Sequence, residues 1–149
     1  MKKTTNILAA LMLLFSVSGF AAGKEEVSLK VQEAFKKDFS LVTGATNWEK
    51  KNDFYFATFL LNEVETNAAY NEEGELVAVS RTIEIAKLPL SISMSLTKKY
   101  EDFKFPASAL ELNFEGQTAY YLTLENDKKV LNLKCFSNGE ISVENKVKK

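Results

Sequence analysis

Apolar residues recur along this chain with two periods, and the order of those periods is written twice. Val31, Phe35, Phe39 and Val42 stand at i, i+4, i+8 and i+11, which predicts one face of a helix from about Glu25 to Leu41. Ile92, Leu96, Tyr100 and Phe103 repeat the spacing 61 residues later. Pro89 suits the first position of the second helix, where its missing N–H is not needed, and Gly44 and Pro106 lie just past the two helix ends as stop signals.

After each helix the period changes to two. Polar turns are expected at Asn52-Asp53, Asn62-Glu63 and Glu73-Gly74, and again at Gly116-Gln117, Asn126-Asp127 and Asn138-Gly139. Such pairs favour tight antiparallel hairpins. In the second half the alternating sets are Leu110, Leu112, Phe114; Tyr120, Leu122, Leu124; Leu131, Leu133, Cys135; and Ile141, Val143, all expected to face the helices. The other face would carry Glu111, Asn113, Glu115, Tyr121, Thr123, Glu125, Asn132, Lys134 and Glu144. A parallel sheet needs a crossover helix between successive strands, so the pattern predicts an α+β fold: two tandem helix-plus-four-strand halves forming one antiparallel sheet with both helices on one face.

The stretch from Phe54 to Leu61 is apolar on both faces, and a one-residue slip exchanges its two sets. Matching Tyr55 to Tyr120 and Phe59 to Leu124, at a shift of 65 residues, places Tyr55, Ala57 and Phe59 in the core. Phe54, Phe56 and Leu60 are then offered to a partner, with Tyr121 on the same side of the other half.

The amino terminus reads as a leader. Lys2 and Lys3 precede an apolar run from Ile7 to Phe20 and small exit residues, with cleavage expected after Ala21 or Gly23. The apolar run is shorter than the ~20 residues that span a bilayer, so no membrane span is expected after cleavage. Residues 24–149 then form one domain, with halves at about 25–87 and 88–147. Removing Lys2 and Lys3 leaves 17 basic against 20 acidic residues. With Arg81 the only arginine, this is a poor composition for binding nucleic acid.

The chain has no histidine, which removes Ser-His and Cys-His pairs and every histidine metal site, and a lone Cys135 supplies neither a disulfide nor a thiolate cage. Cys135 shares an expected strand face with Leu131 and Leu133 and reads as a buried thiol. Glu72, Glu73 and Glu75 around Gly74 read as a solvated turn, since the alternating oxygen ligands of a calcium loop are missing. Glu63 and Glu65 read as a charged edge. Trp48, matched to Leu112 at a shift of 64, reads as core. The lysine pairs Lys36-Lys37 and Lys98-Lys99, and the tail Lys146, Lys148, Lys149, read as solvated faces. No catalytic residue, metal or cofactor is assigned.

Several stretches together resemble the PepSY-like domains whose halves are similar to the β-lactamase inhibitor protein. They are Trp48 before Phe54-Tyr55-Phe56-Ala57-Thr58-Phe59, then Ala69-Tyr70-Asn71-Glu72-Glu73-Gly74-Glu75-Leu76, and Leu88-Pro89 before the second helix. Tyr120-Tyr121-Leu122-Thr123-Leu124 and Phe136-Ser137-Asn138-Gly139-Glu140-Ile141 follow. The resemblance runs from about Val27 to Val147 and implies a periplasmic or secreted, non-enzymatic domain. It departs from the inhibitor in lacking disulfide cysteines, and no contact residue carries over. The leading expectation is an exported module that binds a protein through the open sheet face, inhibitor-like or chaperone-like. The alternative is a periplasmic small-ligand or envelope-stress sensor.

Overall fold

The computed structural model describes residues 26–149; the leader expected over Met1–Gly23 lies outside the described residues. Helix α1 (Leu29–Asp38) begins at Ser28, whose hydroxyl accepts from the Val31 N–H at 3.3 Å and so satisfies one of the donors that a helix start leaves unpaired. Helix α2 (Leu90–Lys99) begins after Pro89.

Both helices end earlier than the apolar spacing suggests. Phe39 and Tyr100 cap them, donating backbone N–H bonds to Phe35 and Leu96 at 2.9 Å. Val42 and Phe103 then donate to the carbonyls of Phe39 and Tyr100 at 3.0 Å. The last two apolar positions of each repeat therefore belong to a turn, made the same way twice, in which Phe39 packs on Phe35 and Phe59 and Tyr100 and Phe103 pack on the core beneath α2.

Eight strands follow in chain order within one antiparallel sheet: β1 (Asn47–Lys51), β2 (Phe54–Leu61), β3 (Val64–Asn71), β4 (Leu76–Glu84), β5 (Ser108–Phe114), β6 (Gln117–Glu125), β7 (Lys129–Phe136) and β8 (Ile141–Lys148). Two hairpins turn on paired positive φ angles, Asn62 and Glu63 at 52° and 65°, and Glu115 and Gly116 at 48° and 79°, as a two-residue turn matched to strand twist requires. The β5–β6 turn thus sits one residue before the expected Gly116-Gln117.

The described residues group into two units: those up to Glu63 with Asn67–Val77, and Val64–Thr66 with Ala78–Lys149. In the first, Phe35 of α1 is the hub. Its ring lies edge-on to Trp48 at 5.3 Å, Phe59 at 5.0 Å and Tyr70 at 6.4 Å, the geometry aromatic quadrupoles favour. The Tyr70 hydroxyl donates to Asp38 Oδ2 at 3.0 Å, so the buried phenol has its partner.

In the second unit Ile92 and Leu96 of α2 pack with Leu88, Ala109, Tyr120, Leu122, Leu124, Leu131, Leu133 and Cys135. Leu110, Leu112 and Phe114 are not on that side. Leu110 lies opposite Tyr121, Leu112 opposite Ala119 and Phe114 opposite Gln117, while Tyr120 and Leu122 lie opposite Cys135 and Leu133. The expected inward set of β5 therefore points away from α2. A two-residue turn pairs even-numbered with odd-numbered positions, so Ala109 and Glu111 face α2 instead, a one-step exchange of faces.

Two glycines seat hairpins on helices. Gly74 (φ +78°) brings the β3–β4 turn onto α1, where a Cβ would stand 3.2 Å from the Lys30 carbonyl oxygen. Gly139 (φ +89°) brings the β7–β8 turn onto α2, where a Cβ would stand 2.9 Å from the Ser91 carbonyl oxygen. Beside it the Ser91 hydroxyl donates to the Ser137 carbonyl at 2.6 Å. Strand β8 is the last in the sheet order, and its register with β7 shifts between Asn132 and Leu133.

Candidate functional site

The expected partner-binding residues fall on two strands in different units. On β2 the inward set is Tyr55, Ala57 and Phe59, fixed by the Phe59 ring against Phe35 and by Trp48 opposite Ala57. Phe54, Phe56 and Leu60 point the other way. Leu60 is 63% exposed and Phe54 is half-buried, but Phe56 is only 7% exposed. Phe56 is a core-like residue on the outward face, and its expected availability is corrected accordingly.

Tyr121 sits on β6, in the second unit, on the face turned from α2. Register places Leu110, Leu112 and Phe114 of β5 and Lys134 and Phe136 of β7 on that face with it. Leu112 is buried, while Leu110, Phe114, Tyr121, Lys134 and Phe136 are half-buried. The Lys134 ammonium lies 5.8 Å from the Tyr121 ring centre and 5.1 Å from that of Phe136, within cation–π range. Burial, reinforced by the negative charge of Glu144, pushes the Tyr121 phenol up to about 12, so it remains a neutral donor at any physiological pH.

At the β4 border of this face Ser80 lies opposite Leu112, is 1% exposed, and its hydroxyl has no hydrogen-bond partner. On the α2 side of β4 and β5, Arg81 Nε donates to Glu111 Oε1 at 2.6 Å, and Asn113 Nδ2 donates to Thr118 Oγ1 at 3.0 Å.

Some of the remaining sequence candidates have structural partners. Glu72 pairs with Lys50 of β1 at 3.2 Å, and Glu75 accepts from Asn71 Nδ2 at 2.7 Å, so two carboxylates of the acidic turn are engaged, one with β1 and one within the turn. Among the described residues no three His, Cys, Asp or Glu side chains converge as metal ligands. Cys135 is fully buried, and burial pushes its thiol up to about 11, which suppresses the thiolate that reactivity requires. Trp48 is half-buried, its ring packed on the core side against Phe35 and Tyr70, although Leu112, its expected counterpart, lies on the other face of its own strand.

Sequence reasoning missed Phe114, Leu110 and Phe136 as members of the outward face. The signal was present: alternation from Cys135 puts Phe136 outward, and the odd sum imposed by a two-residue turn puts Phe114 and Leu110 with Tyr121.

No protein-family model matches the chain, and no curated protein matches it. Solved structures do. A BLIP-like protein from Bacteroides fragilis superposes with a TM-score of 0.72 at 21% identity, covering 85% of this chain and 91% of its own. A DUF2874-family protein from Bacteroides ovatus gives 0.68 at 17% identity, covering 83% and 89%. A protein from Bacteroides eggerthii described as periplasmic gives 0.66 at 18% identity, covering 83% and 90%. The chain therefore has the β-lactamase-inhibitor-like fold. The PepSY part of the resemblance has no counterpart among these structures. Identities this low establish the fold and leave partner and activity to the site itself.

Proposed function

We propose that the protein is an exported, non-catalytic binding module that engages a protein partner through outward sheet side chains. The observation that carries this reading is the half-buried set Leu110, Tyr121 and Phe136, with Phe114 farther along the same face of β5–β7 turned from α2. Aromatic anchors in a partly desolvated patch are what protein interfaces use. Leu60 and Phe54 on β2 extend the reading to the first unit. The leader-like amino terminus and the neighbours of the fold described as periplasmic support placement in the periplasm. Among the described residues no helix is long and apolar enough to cross a membrane. The reading takes residues 24–149 as one domain, with the leader removed after Ala21 or Gly23.

The test is crosslinking capture from periplasmic extract with the parent protein and a Tyr121→Ala/Phe136→Ala variant verified by circular dichroism. A protein captured by the parent and lost in the variant is the expected result. The same proteins captured by both would remove this face from the function. Leu60→Glu serves as the first-unit variant, because Leu60 is 63% exposed and surface substitutions stay within about 0.5 kcal/mol. Phe56→Glu does not serve, because a carboxylate at that buried position costs several kcal/mol, on the order of 3 or more, and would be read as unfolding.

A further inference from the structure

On the face of β5–β7 turned from α2, one cation stands among aromatic rings. Lys134 lies directly opposite Tyr121 across the β6–β7 ladder, and Phe136 follows two positions along its own strand. The rings hold the ammonium at 5.8 Å and 5.1 Å from their centres but accept none of its three N–H bonds in the manner of an oxygen. Among the described residues Lys134 takes part in no ion pair. Glu125, at the far end of β6, is engaged by Lys149 at 3.3 Å, and Glu144 acts on the Tyr121 phenol. Lys134 is thus a positioned donor in no ion pair among the described residues, beside two half-buried rings, on a face that the Glu144 charge also reaches. A side chain already held in place loses less freedom when a ligand arrives.

We infer that this face receives a polypeptide segment presenting a carboxylate next to an aromatic or large aliphatic side chain, the carboxylate on Lys134 Nζ and the apolar group against Tyr121 and Phe136. This rests on the binding-module reading and adds the partner's chemistry to it. A single cation in an apolar surround complements one carboxylate. A phosphate polymer needs a basic stripe, and here Lys134 is the only basic residue that β5, β6 and the inner part of β7 place outward.

The test is selection of a displayed library of random peptides on the purified protein, on Lys134→Glu and on Phe136→Ala, followed by sequencing. The parent is expected to enrich Asp or Glu adjacent to Phe, Tyr, Trp or Leu. Lys134→Glu is expected to enrich Lys or Arg at that place, because the aromatic walls are unchanged. A selected acidic peptide, synthesised and titrated, should bind Lys134→Gln about tenfold more weakly, the scale of one charge-assisted hydrogen bond, and bind the parent more weakly as salt rises. Because Lys134→Glu is read by what it selects, a variant that folds poorly cannot mimic success. Peptides lost in Phe136→Ala but without acidic preference overturn the carboxylate and leave the face intact. Peptides indifferent to both substitutions overturn the face as well, and no enrichment on the parent overturns the inference outright.

Discussion

Gly139→Ala is expected to be the most damaging single methyl addition among the turn glycines. Two penalties act at that position. Its φ of +89° is one that a residue with a Cβ adopts at a cost of about 1–2 kcal/mol. The added Cβ would also stand 2.9 Å from the Ser91 carbonyl oxygen and 3.0 Å from Ser95 Oγ. The serine hydroxyl can rotate away, but the carbonyl belongs to α2 and cannot, so the hairpin must lift off the helix. Lifting stretches the 2.6 Å bond from Ser91 Oγ to the Ser137 carbonyl, worth about 1 kcal/mol. The total is about 2–3 kcal/mol. Gly116→Ala is the matched control, since its φ is +79° but nothing lies within 4 Å of its added Cβ, leaving only the backbone penalty of about 1–2 kcal/mol. Urea unfolding followed by far-UV circular dichroism compares the two, and with a slope of about 1–3 kcal/mol per molar the difference is resolvable. Adding Ser95→Ala to Gly139→Ala should restore only part of the loss, because the backbone clash remains. Equal midpoints for Gly139→Ala and Gly116→Ala would refute the argument that close helix contact selects glycine at 139.

Ser80→Ala should be neutral or stabilise by up to about 1 kcal/mol in the same assay, because it removes a buried hydroxyl that has no partner; clear destabilisation would mean the hydroxyl is satisfied in solution. Cys135, with its thiol raised to about 11 by burial, should resist Ellman's reagent at pH 8 in the folded protein and react at once in denaturant. Phenolate absorbance should show Tyr121 ionising near 12, above an ordinary tyrosine, and Glu144→Gln should bring it down. Because the folded value is raised, the associated stability is fully present below pH 10 and is lost as pH climbs through about 12; unfolding midpoints constant across that window would contradict it.

The repeat was legible in the sequence because it is carried by spacings. Val31, Phe35, Ile92 and Leu96 mark the buried helix faces, and Tyr55, Ala57 and Phe59 prove to be the inward set of β2. What alternation within a strand could not convey was how one strand's faces connect to the next. Leu110, Leu112 and Phe114 read as core because they are the more apolar set, yet the length of the Glu115–Gly116 turn assigns them outward and gives Glu111 the α2 side. Phe56 shows a related limit: it points outward yet is buried, because the direction a side chain takes from a sheet does not set its exposure. Phe39 and Tyr100 kept helical spacing after the helices had ended, since a turn can present the same face as one more helical turn.

The register shift in β8 has a consequence for the size the molecule can reach. Before it, Ile141 and Val143 lie opposite Cys135 and Leu133 on the α2 side; after it, Lys146 and Lys148 lie opposite Leu131 and Lys129, and Val147 lies opposite Val130. The final strand thus has two misaligned halves with lysines along the second, and a straight strand from another molecule cannot pair with its whole length. A sheet that grows by adding strands in order needs somewhere to stop. Deleting Glu144 would straighten that rim and turn a terminus into a template for polymer growth.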